Sequence, residues 1–423
     1  MDKYKLSLFN VVKRTVDGFL VFNTLTQGLM LLDESHYTML NSLKINNEAL
    51  EKFLHYGFIV PETKNEIEFL KFHNLQTKFD SSRMNLTIAT TNTCNFRCPY
   101  CYQPHKAEYL STDIETAIID FIKAKINAGV KILSIHWFGG EPLLNFPLIL
   151  SMEQQLKKLK TINYTSSITT NGYLITDEIV QSLKKTNIRF FQITIDGDEP
   201  IHNKTRILKN GAGTFSTVMN NIKLLLSENI PVLIRYNINK FNENVVPFLN
   251  YLISENLNTR IPIHFSETKK FDICYTNENI FYNSTEEYSR SLLKVYNDLL
   301  ENGFPIPQYS ANFISCEFDC LNSFLINTDG KLYQCSACDH ESKFYMGELL
   351  PSGNIEYSNN NYMRKMLRDP FDNLDCVHCK VLPICMGGCN FLELKNKNKC
   401  IPEKYIIADL AELYYRNAMR GQA

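Results

Sequence analysis

The chain of 423 residues lacks a surplus of either charge, because 44 lysines and arginines stand against 45 aspartates and glutamates, for a formal net charge of −1. This balance gives no electrostatic reason to expect nucleic acid or an anionic membrane as a partner. No run of eighteen apolar residues occurs, so no segment is expected to cross a bilayer. The N-terminus, Met1 to Leu6, lacks the apolar run and cleavage site of a signal peptide, and we expect a cytoplasmic protein.

Cysteine, in contrast, is abundant, with thirteen residues, many of them at C-x2-C spacing. In the absence of an export signal, this spacing favours metal ligation in a reducing compartment over disulfides. Hydrophobic residues make up 44% and charged residues 21% of the chain, which is typical of a globular protein, and the length predicts two or three domains.

The first cysteines, Cys94, Cys98 and Cys101, have C-x3-C-x2-C spacing with the aromatic Tyr100 before the last one. Three thiolates hold three irons of a cubane cluster and leave the fourth open, whereas a cluster that only transfers electrons takes four cysteines. A zinc knuckle or a structural cluster is the alternative. The pattern resembles the signature of the radical S-adenosylmethionine (SAM) enzymes. This resemblance implies that the open iron binds SAM and that the reduced cluster cleaves it to a 5′-deoxyadenosyl radical.

From residue 85 to about residue 310, short β-branched strands alternate with helices of ten to eighteen residues, which predicts six β/α units and a parallel sheet. Thr112 is predicted to cap the first helix of this region, in a capping box with Glu115. The predicted strands are Leu86 to Thr90, Ile132 to Phe138, Ser167 to Thr170, Phe190 to Ile195, Val232 to Asn237 and Ile261 to Phe265. The cysteine loop follows the first strand, at the carboxyl edge where such sheets carry their reactive groups. The resemblance implies an α/β fold, a partial (β/α)6 radical SAM barrel over residues 81–310.

The second strand is followed by Gly139-Gly140-Glu141-Pro142, which resembles the GGEP motif of these enzymes. In the family its backbone and carboxylate hold the SAM amino group, and glycine permits close backbone approach. At the end of the third strand, Thr169 and Asn171 are candidate contacts of the ribose hydroxyls. A simple strand-ending turn is an equal alternative for them.

The fourth strand ends at Thr194-Ile195-Asp196-Gly197, with His202, Arg206 and Gly211 to Phe215 downstream. This block resembles that of SPASM-type radical SAM enzymes, with Thr194 in place of the usual serine. The resemblance makes Thr194, Asp196 and Asn237 SAM-site candidates and pairs Arg206 with the SAM carboxylate, which suits a permanently charged guanidinium. We expect His202 to fix the loop.

The predicted third domain, residues 311–423, has the spacing of the seven-cysteine SPASM signature. Its polar run Asn359 to Asn361 is predicted to be a loop. By resemblance, auxiliary cluster I takes Cys316, Cys320, Cys335 and Cys389, and cluster II takes Cys376, Cys379, Cys385 and Cys400. With the SAM cluster, this makes three [4Fe-4S] clusters. Zinc at Cys376, Cys379, Cys385 and Cys389 is the alternative. Cys338 competes with Cys316 as a ligand, and Cys274 is expected to be a buried structural thiol.

Residues 1–80 precede the first cysteine. Their sequence pattern predicts a hairpin, two short helices and a return strand. This order resembles the winged-helix RiPP recognition element, a module that binds the leader of a ribosomally made precursor peptide. Strand addition at an exposed sheet edge is its physical basis. A packing extension of the catalytic domain is the alternative.

The family resemblance predicts an enzyme that modifies a precursor peptide, with a flavodoxin or ferredoxin as electron donor. We expect an oxidative thioether cross-link. Carbon–carbon coupling, epimerisation and formylglycine formation by a sulfatase-type maturase are alternatives, and a plain electron carrier is disfavoured by the SAM-binding block. Ser336 stands where sulfatase maturases carry an acidic residue. The candidate bases that remain are Tyr236, His264, Glu267 and Asp339.

Overall fold

The computed structural model describes residues 3–159, 161–271, 278–338 and 342–420. Its chain forms two compact units. Unit 1 consists of Met1–Phe79, Asn283–Cys316 and Arg368–Ala423, and unit 2 of Asp80–Tyr282 and Glu317–Leu367. The predicted 311–423 domain therefore contributes residues to both units, and the predicted domain borders stay a prediction. Cys274 and Asp339 lie outside the described residues.

Unit 2 is built on one ten-stranded sheet, in the order β11-β10-β9-β8-β7-β6-β12-β13-β14-β15. Strands β6 to β11 are mutually parallel, β12 adds in parallel to β6, and β13 to β15 continue antiparallel. Its strands are β6 Arg83–Ala89, β7 Ile132–Phe138, β8 Asn163–Thr170, β9 Ile188–Thr194, β10 Val232–Ile238, β11 Ile263–Glu267, β12 Ser323–Ile326, β13 Lys331–Tyr333, β14 Tyr345–Leu349 and β15 Ile355–Tyr357.

The six predicted core strands are thus present, with ends shifted by up to four residues. Burial alternates along them: Leu133, Ile135 and Trp137 of β7 are buried, while Ser134 and His136 lie on the other face and line a cavity. Successive strand residues point to opposite faces. One face of this parallel sheet is therefore apolar and packs in the core, and the other carries polar side chains.

The helices of unit 2 follow the strands in the β/α order that was predicted. They are α4 Thr112–Asn127, α5 Phe146–Leu156, α6 Asp177–Leu183, α7 Glu199–Thr205, α8 Phe215–Ser227, α9 Val246–Ser254 and α11 Asn359–Leu367. Two sequence predictions need correction. The side chain that caps α4 is Ser111, which accepts the Ile114 N–H, and not Thr112. Residues 359–361 were predicted to be a loop, but they begin α11.

Unit 1 holds two small antiparallel sheets, β1-β5 and β2-β3-β4. The predicted hairpin is β3-β4, and β1 and β2 were missed. The elements are β1 Tyr4–Leu6, β2 Asn10–Thr15, β3 Gly18–Asn23, β4 Leu29–Leu32, α1 Glu34–Ser42, α2 Asn47–His55, β5 Ile59–Pro61, α3 Glu66–Lys78, α10 Thr285–Glu301, α12 Leu374–Val377, α13 Leu382–Cys385, α14 Asn390–Leu394 and α15 Ile407–Arg420.

The N-terminal segment is packed into unit 1 by residues from the end of the chain. Phe22 of β3 contacts Tyr414 of α15 edge to face, with ring centroids 5.8 Å apart. Phe9 and Leu70 share a buried cluster with Leu382 and Met386. Residues 1–79 therefore complete the core of this unit. Across the described ranges, no helix is long and apolar enough to span a membrane.

Candidate functional site

The three-cysteine cavity of unit 2, about 440 Å³ in volume, lies at the carboxyl ends of the core strands. Cys94, Cys98 and Cys101 are half-buried and all line it. Other predicted site residues that line it are Gly139, Gly140, Thr169, Asn171, Thr194, Arg206 and Asn237. The structure thus gathers side chains from five strand ends around three thiols.

The loop that carries the cysteines is fastened to the Gly139–Glu141 segment by backbone hydrogen bonds. The Gly140 N–H donates to Thr91 O at 2.8 Å, and the Glu141 N–H donates to Thr93 O at 2.9 Å. A Cβ atom on Gly139 or Gly140 would overlap these same carbonyl oxygens, and Gly139 has a φ of +138°. The two glycines therefore permit close packing of backbone against backbone, which positions Cys94.

The Glu141 side chain is fully buried and does not line the cavity. Its carboxylate accepts hydrogen bonds from Thr170 Oγ1 at 2.6 Å, Asn171 N at 2.7 Å and Leu143 N at 3.0 Å. Burial raises the pKa of Glu141, although these donors oppose the shift. Glu141 thus connects the end of β7 to the end of β8 by hydrogen bonds. Its contact with the SAM amino group stays a prediction.

A buried chain of charged and polar groups lies next to Cys98. Arg206 Nη1 donates to Tyr100 Oη at 2.9 Å, and the Tyr100 hydroxyl donates to the Asp196 carboxylate. The Arg206 guanidinium also lies over the Phe96 ring, 5.5 Å from its centroid. Burial raises the pKa of Tyr100 and of Asp196. Tyr100 had been noted only as an aromatic residue in the cysteine pattern, and its role as the bridge between Asp196 and Arg206 was missed.

Two atoms of these hydrogen-bonded side chains, Arg206 Nε and Asp196 Oδ1, are buried and have no hydrogen-bond partner in the described part of the protein. A buried polar atom without a partner is costly, and a bound ligand, ion or water is one way to satisfy it. Arg206 lines the cavity, so its remaining donor suits an anionic group there. Three thiols, a cation and neighbouring hydroxyl and amide groups therefore fit an iron–sulfur cluster with SAM.

His202 is fully buried outside this cavity, and it fixes the loop as predicted. Its Nδ1 accepts from the Asp196 N–H at 3.5 Å, and its Nε2 pairs with Thr214 Oγ1 at 3.1 Å. Of the three candidate bases that the structure describes, Glu267 lines the cavity, and Tyr236 and His264 do not. Tyr236 is buried and donates to Asn242 O at 3.0 Å, and His264 is exposed. Burial raises the pKa of Glu267.

The four-cysteine cavity lies in unit 1 and has a volume of about 320 Å³. Cys376, Cys379, Cys385 and Cys400 line it, which are the four residues assigned by resemblance to cluster II, and Cys389 does not. The zinc alternative includes Cys389 in place of Cys400, and this cavity gathers Cys400 and not Cys389.

The turn between Cys385 and Cys389 has left-handed backbone conformation at Met386, Gly387 and Gly388. Arg368 holds the turn, because its Nη2 donates to Gly387 O at 2.6 Å and to Gly388 O at 3.0 Å. Glu393 in turn accepts from Arg368 Nε at 2.7 Å and pairs with Lys399.

The predicted ligands of cluster I fall in both compact units: Cys316 and Cys389 in unit 1, and Cys320 and Cys335 in unit 2. Cys316 is exposed, and the other three are half-buried. The Cys338 side chain lies outside the described residues. The composition of cluster I stays a prediction from the resemblance.

Comparison with known sequences places residues 88–251 in the profile of the radical SAM superfamily. The radical SAM cyclopropyl synthase TigE of Paramaledivibacter caminithermalis is 25% identical over a 441-residue alignment that covers 90% of this chain and 88% of the relative. The cysteine-type anaerobic sulfatase-maturating enzyme of Clostridium novyi is 24% identical, over 76% of this chain and 90% of the relative.

Two solved structures share the fold. Streptococcus suis SuiB bound to precursor peptide SuiA aligns with a TM-score of 0.54 at 16% identity, over 95% of this chain and 98% of that chain. The anSMEcpe structure with bound AdoMet and Kp18Cys peptide aligns with a TM-score of 0.63 at 17% identity, over 79% and 99%. About a fifth of this chain thus has no counterpart in anSMEcpe, whereas SuiB matches nearly all of it.

Proposed function

Because this chain belongs to the radical SAM superfamily, we propose that it modifies a ribosomally made precursor peptide at the three-cysteine cavity. The observation that carries the proposal is the gathering of Cys94, Cys98 and Cys101 with the unsatisfied donor of Arg206 in one cavity. When a [4Fe-4S] cluster and SAM are bound, such a site supplies a 5′-deoxyadenosyl radical that abstracts a hydrogen atom.

The residues of the cavity hold and orient the reactants. The three thiolates would hold the cluster, and Arg206 would pair with the SAM carboxylate. Thr169, Asn171, Thr194 and Asn237 line the cavity at the strand ends, where their hydroxyl and amide groups would meet polar groups of SAM. The Gly139–Glu141 segment keeps the cysteine loop in place through its backbone contacts.

A peptide is the proposed substrate because related proteins act on or bind peptides. SuiB has been solved with its precursor peptide and anSMEcpe with a short peptide. Arg235, Glu267 and Lys269 also line this cavity, and these charged groups suit the polar backbone of a peptide.

The product we propose is an oxidative thioether between a cysteine sulfur and a carbon of the same peptide. Carbon–carbon ring closure is the second candidate, because the relative that covers 90% of this chain is named a cyclopropyl synthase. The sulfatase maturase of Clostridium novyi keeps formylglycine formation as a third candidate. Against it, Ser336 lines the cavity at the position of the family's acidic residue.

Mass spectrometry of the reconstituted reaction tests this proposal. The anaerobically loaded enzyme would be given SAM, a reductant and the precursor peptide from a neighbouring reading frame, with a sulfatase-derived cysteine peptide in parallel. A loss of two hydrogens with one thiol no longer alkylatable supports the thioether, and the same loss with every thiol alkylatable supports carbon–carbon closure. Turnover of the sulfatase peptide alone contradicts a precursor-peptide maturase, and an unchanged mass with solvent deuterium incorporated means epimerisation.

The proposed leader site is the edge strand β4, whose partner in the three-stranded sheet is β3 alone. An extended leader segment would add to its unpaired edge. Deletion of residues 1–80 is a poor test, because Phe9 and Leu70 belong to the core of unit 1. Hydrogen exchange is better: the precursor should slow exchange of the amides of Leu29–Leu32, and a precursor without its leader should not. Equal exchange with both peptides favours a packing role alone.

Two further parts of the proposal concern electrons. The four-cysteine cavity is proposed to hold an auxiliary [4Fe-4S] cluster, and Cys320 and Cys335 belong to the ligands of a second one, which gives three clusters in total. A flavodoxin or ferredoxin is the proposed donor. Iron analysis and reduction assays with a purified flavodoxin test these two points separately.

A further inference from the structure

A second cavity of unit 2, the hydroxyl-lined cavity of about 410 Å³, shares part of its wall with the three-cysteine cavity. Thr87, His136 and Glu317 line both. Hydroxyl side chains of β7 and β8 make up much of its remaining wall. Arg189 and Phe190 also line it, and since Phe190 is 39% exposed, this cavity reaches the protein surface.

A continuous row of hydrogen bonds leads from one cavity to the other. Gln192 Nε2 donates to Thr169 Oγ1 at 3.1 Å. Thr169 Oγ1 and His136 Nε2 are 2.9 Å apart, and His136 Nδ1 and Ser167 Oγ are 2.8 Å apart. Gln192 and Thr169 line the three-cysteine cavity, and Ser167 lines the hydroxyl-lined cavity. His136 is therefore the junction of the row.

The register of the sheet places these side chains side by side. His136 is the direct partner of Ser167 across β7 and β8, and Thr169 is the partner of Gln192 across β8 and β9. In parallel strands, residues at matching register on one face lie next to each other. The row is thus a product of sheet geometry and does not depend on a loop.

The donor and acceptor inventory allows a proton to pass along this row. The Gln192 amide donates to Thr169, which leaves the Thr169 hydroxyl proton for His136 Nε2, and His136 Nδ1–H then donates to Ser167. A neutral imidazole accepts a proton at one nitrogen and releases one at the other. Burial lowers the pKa of His136 to about 4, so the ring is neutral near pH 7 and has an acceptor nitrogen.

We propose that Thr169, His136 and Ser167 form a proton relay that carries a proton from the substrate in the three-cysteine cavity to the hydroxyl-lined cavity. The proposal rests on the proposed function. Joining an S–H and a C–H group removes one hydrogen atom, one electron and one proton. The hydrogen atom goes to the SAM-derived radical and the electron to an oxidised iron–sulfur cluster. The proton leaves through this row to water at the far side.

The central test uses His136→Ala in the cluster-loaded enzyme with SAM and precursor peptide. We expect 5′-deoxyadenosine formation to continue at saturating SAM, while modified peptide per deoxyadenosine falls about tenfold or more. Added imidazole should restore the yield, because it occupies the vacated space and carries two exchangeable nitrogen positions. 1-Methylimidazole has a similar shape but cannot release a proton from its second nitrogen, and it should fail.

Equal rescue by both compounds, or an unchanged yield in His136→Ala, overturns the relay. His55→Ala on helix α2 of the other unit serves as the matched control. Ser167→Ala provides a second variant that leaves the imidazole intact, and it should also lower the product yield per deoxyadenosine. If wild type itself makes no modified peptide, the proposed function has failed, and that result is distinct from failure of the relay.

A readout independent of turnover is the protonation state of the ring. The ¹⁵N resonances of His136, assigned by difference from the alanine variant, should show a neutral imidazole at pH 6 with one protonated nitrogen. A doubly protonated ring at that pH overturns the proposal, because such a ring has no acceptor nitrogen.

Discussion

The three-cysteine cavity and the four-cysteine cavity are both lined by thiols, but different groups lie behind those thiols. Next to Cys98 a fully buried row joins Asp196, Tyr100 and Arg206, and two of its polar atoms have no partner in the described residues. Near Cys376, the charged groups Arg368, Glu393 and Lys399 contact one another and the adjacent turn. Lys404, which also lines this cavity, donates to Cys400 Sγ at 3.4 Å. The first cavity is lined by an arginine with one unsatisfied donor, whereas the charged groups named at the second contact one another, the backbone or a thiol.

This difference indicates that the two cavities have different ligands, which the number of cysteines alone only suggests. A cavity lined by an arginine with an unsatisfied donor suits an organic anion such as the carboxylate of SAM. A cavity with four thiols, whose neighbouring cations contact a carboxylate, the backbone or a thiol, suits a cluster with four protein ligands and no exchangeable one. Variants that exchange or remove these features should therefore affect the two cavities in different ways.

The largest expected effect follows from removing the thiols of the first cavity. Cys94, Cys98 and Cys101 changed together to Ala should abolish 5′-deoxyadenosine formation, because the proposed open iron would be lost. With three cubane clusters the loaded protein carries about twelve irons and twelve sulfides, so about one third of the iron should disappear. Iron analysis and chromatographic assay of deoxyadenosine measure both. Deoxyadenosine production at the wild-type rate would show that the SAM cluster lies elsewhere.

The four-cysteine variant is the counterpart of that experiment. Changing Cys376, Cys379, Cys385 and Cys400 to Ala should also remove about one third of the iron. SAM affinity and SAM cleavage without peptide should persist, because Arg206 and the first three cysteines are untouched. Loss of SAM affinity in this variant, with circular dichroism unchanged, would contradict the division between the cavities.

The next effect in size concerns the cation of the first cavity. Arg206→Ala should weaken SAM binding about 10-fold to 150-fold, since a hydrogen bond to a charged group contributes about 1.5–3 kcal/mol. The iron content should stay constant, because Arg206 is not a ligand. Calorimetric titration of SAM measures the affinity, and Arg260→Ala, which removes an arginine outside the cavity, is the control. Equal SAM affinity in Arg206→Ala and wild type would leave Arg206 a structural role only.

Much of this architecture was predictable because its signals are local. The core strand Ile132–Phe138 was predicted to the residue, since β-branched and aromatic residues there precede a glycine pair. The polar inner face was not predicted, because His136 and Ser167 belong to strands that looked uniformly buried. In the sheet they alternate with Trp137 and Ile168, which face the core.

Contacts between residues distant in sequence could not be predicted from local sequence patterns. Tyr100 meets Asp196 across 96 residues, and the sequence offers no sign of that pairing. Likewise, Gly139 and Gly140 were predicted to admit a ligand, whereas in the structure they also admit the backbone of Thr91 and Thr93. The three asparagines that begin α11 were taken for a loop because asparagine favours both turns and helix starts.

A smaller effect is expected at the glycine turn of the four-cysteine cavity. Gly388→Ala puts a Cβ onto Lys399 O at a φ of +72°, so the backbone beside Cys389 must shift. We expect a loss of about 1–3 kcal/mol in the free energy of unfolding and weaker iron retention. Gly303→Ala is the matched control, because its φ is +77° but its Cβ would meet nothing within 4 Å. Equal losses in the two variants would mean that left-handed strain, and not the contact, sets the effect.

The smallest effect is expected when one cation of the four-cysteine cavity is removed and the carboxylate that it pairs with still contacts a second cation. Lys399→Gln breaks the ion pair with Glu393, yet that carboxylate still accepts from Arg368 Nε at 2.7 Å. Because Glu393 is 37% exposed, water screens the pair, and the free energy of unfolding should fall by only about 0.5 kcal/mol. Arg368→Gln should cost more and release iron, since Arg368 also donates to Gly387 O and Gly388 O. Urea unfolding and iron analysis of the two variants side by side measure the difference. A larger loss for Lys399→Gln than for Arg368→Gln would show that the turn is held by the lysine and that the arrangement of charges around the second cavity has been misread.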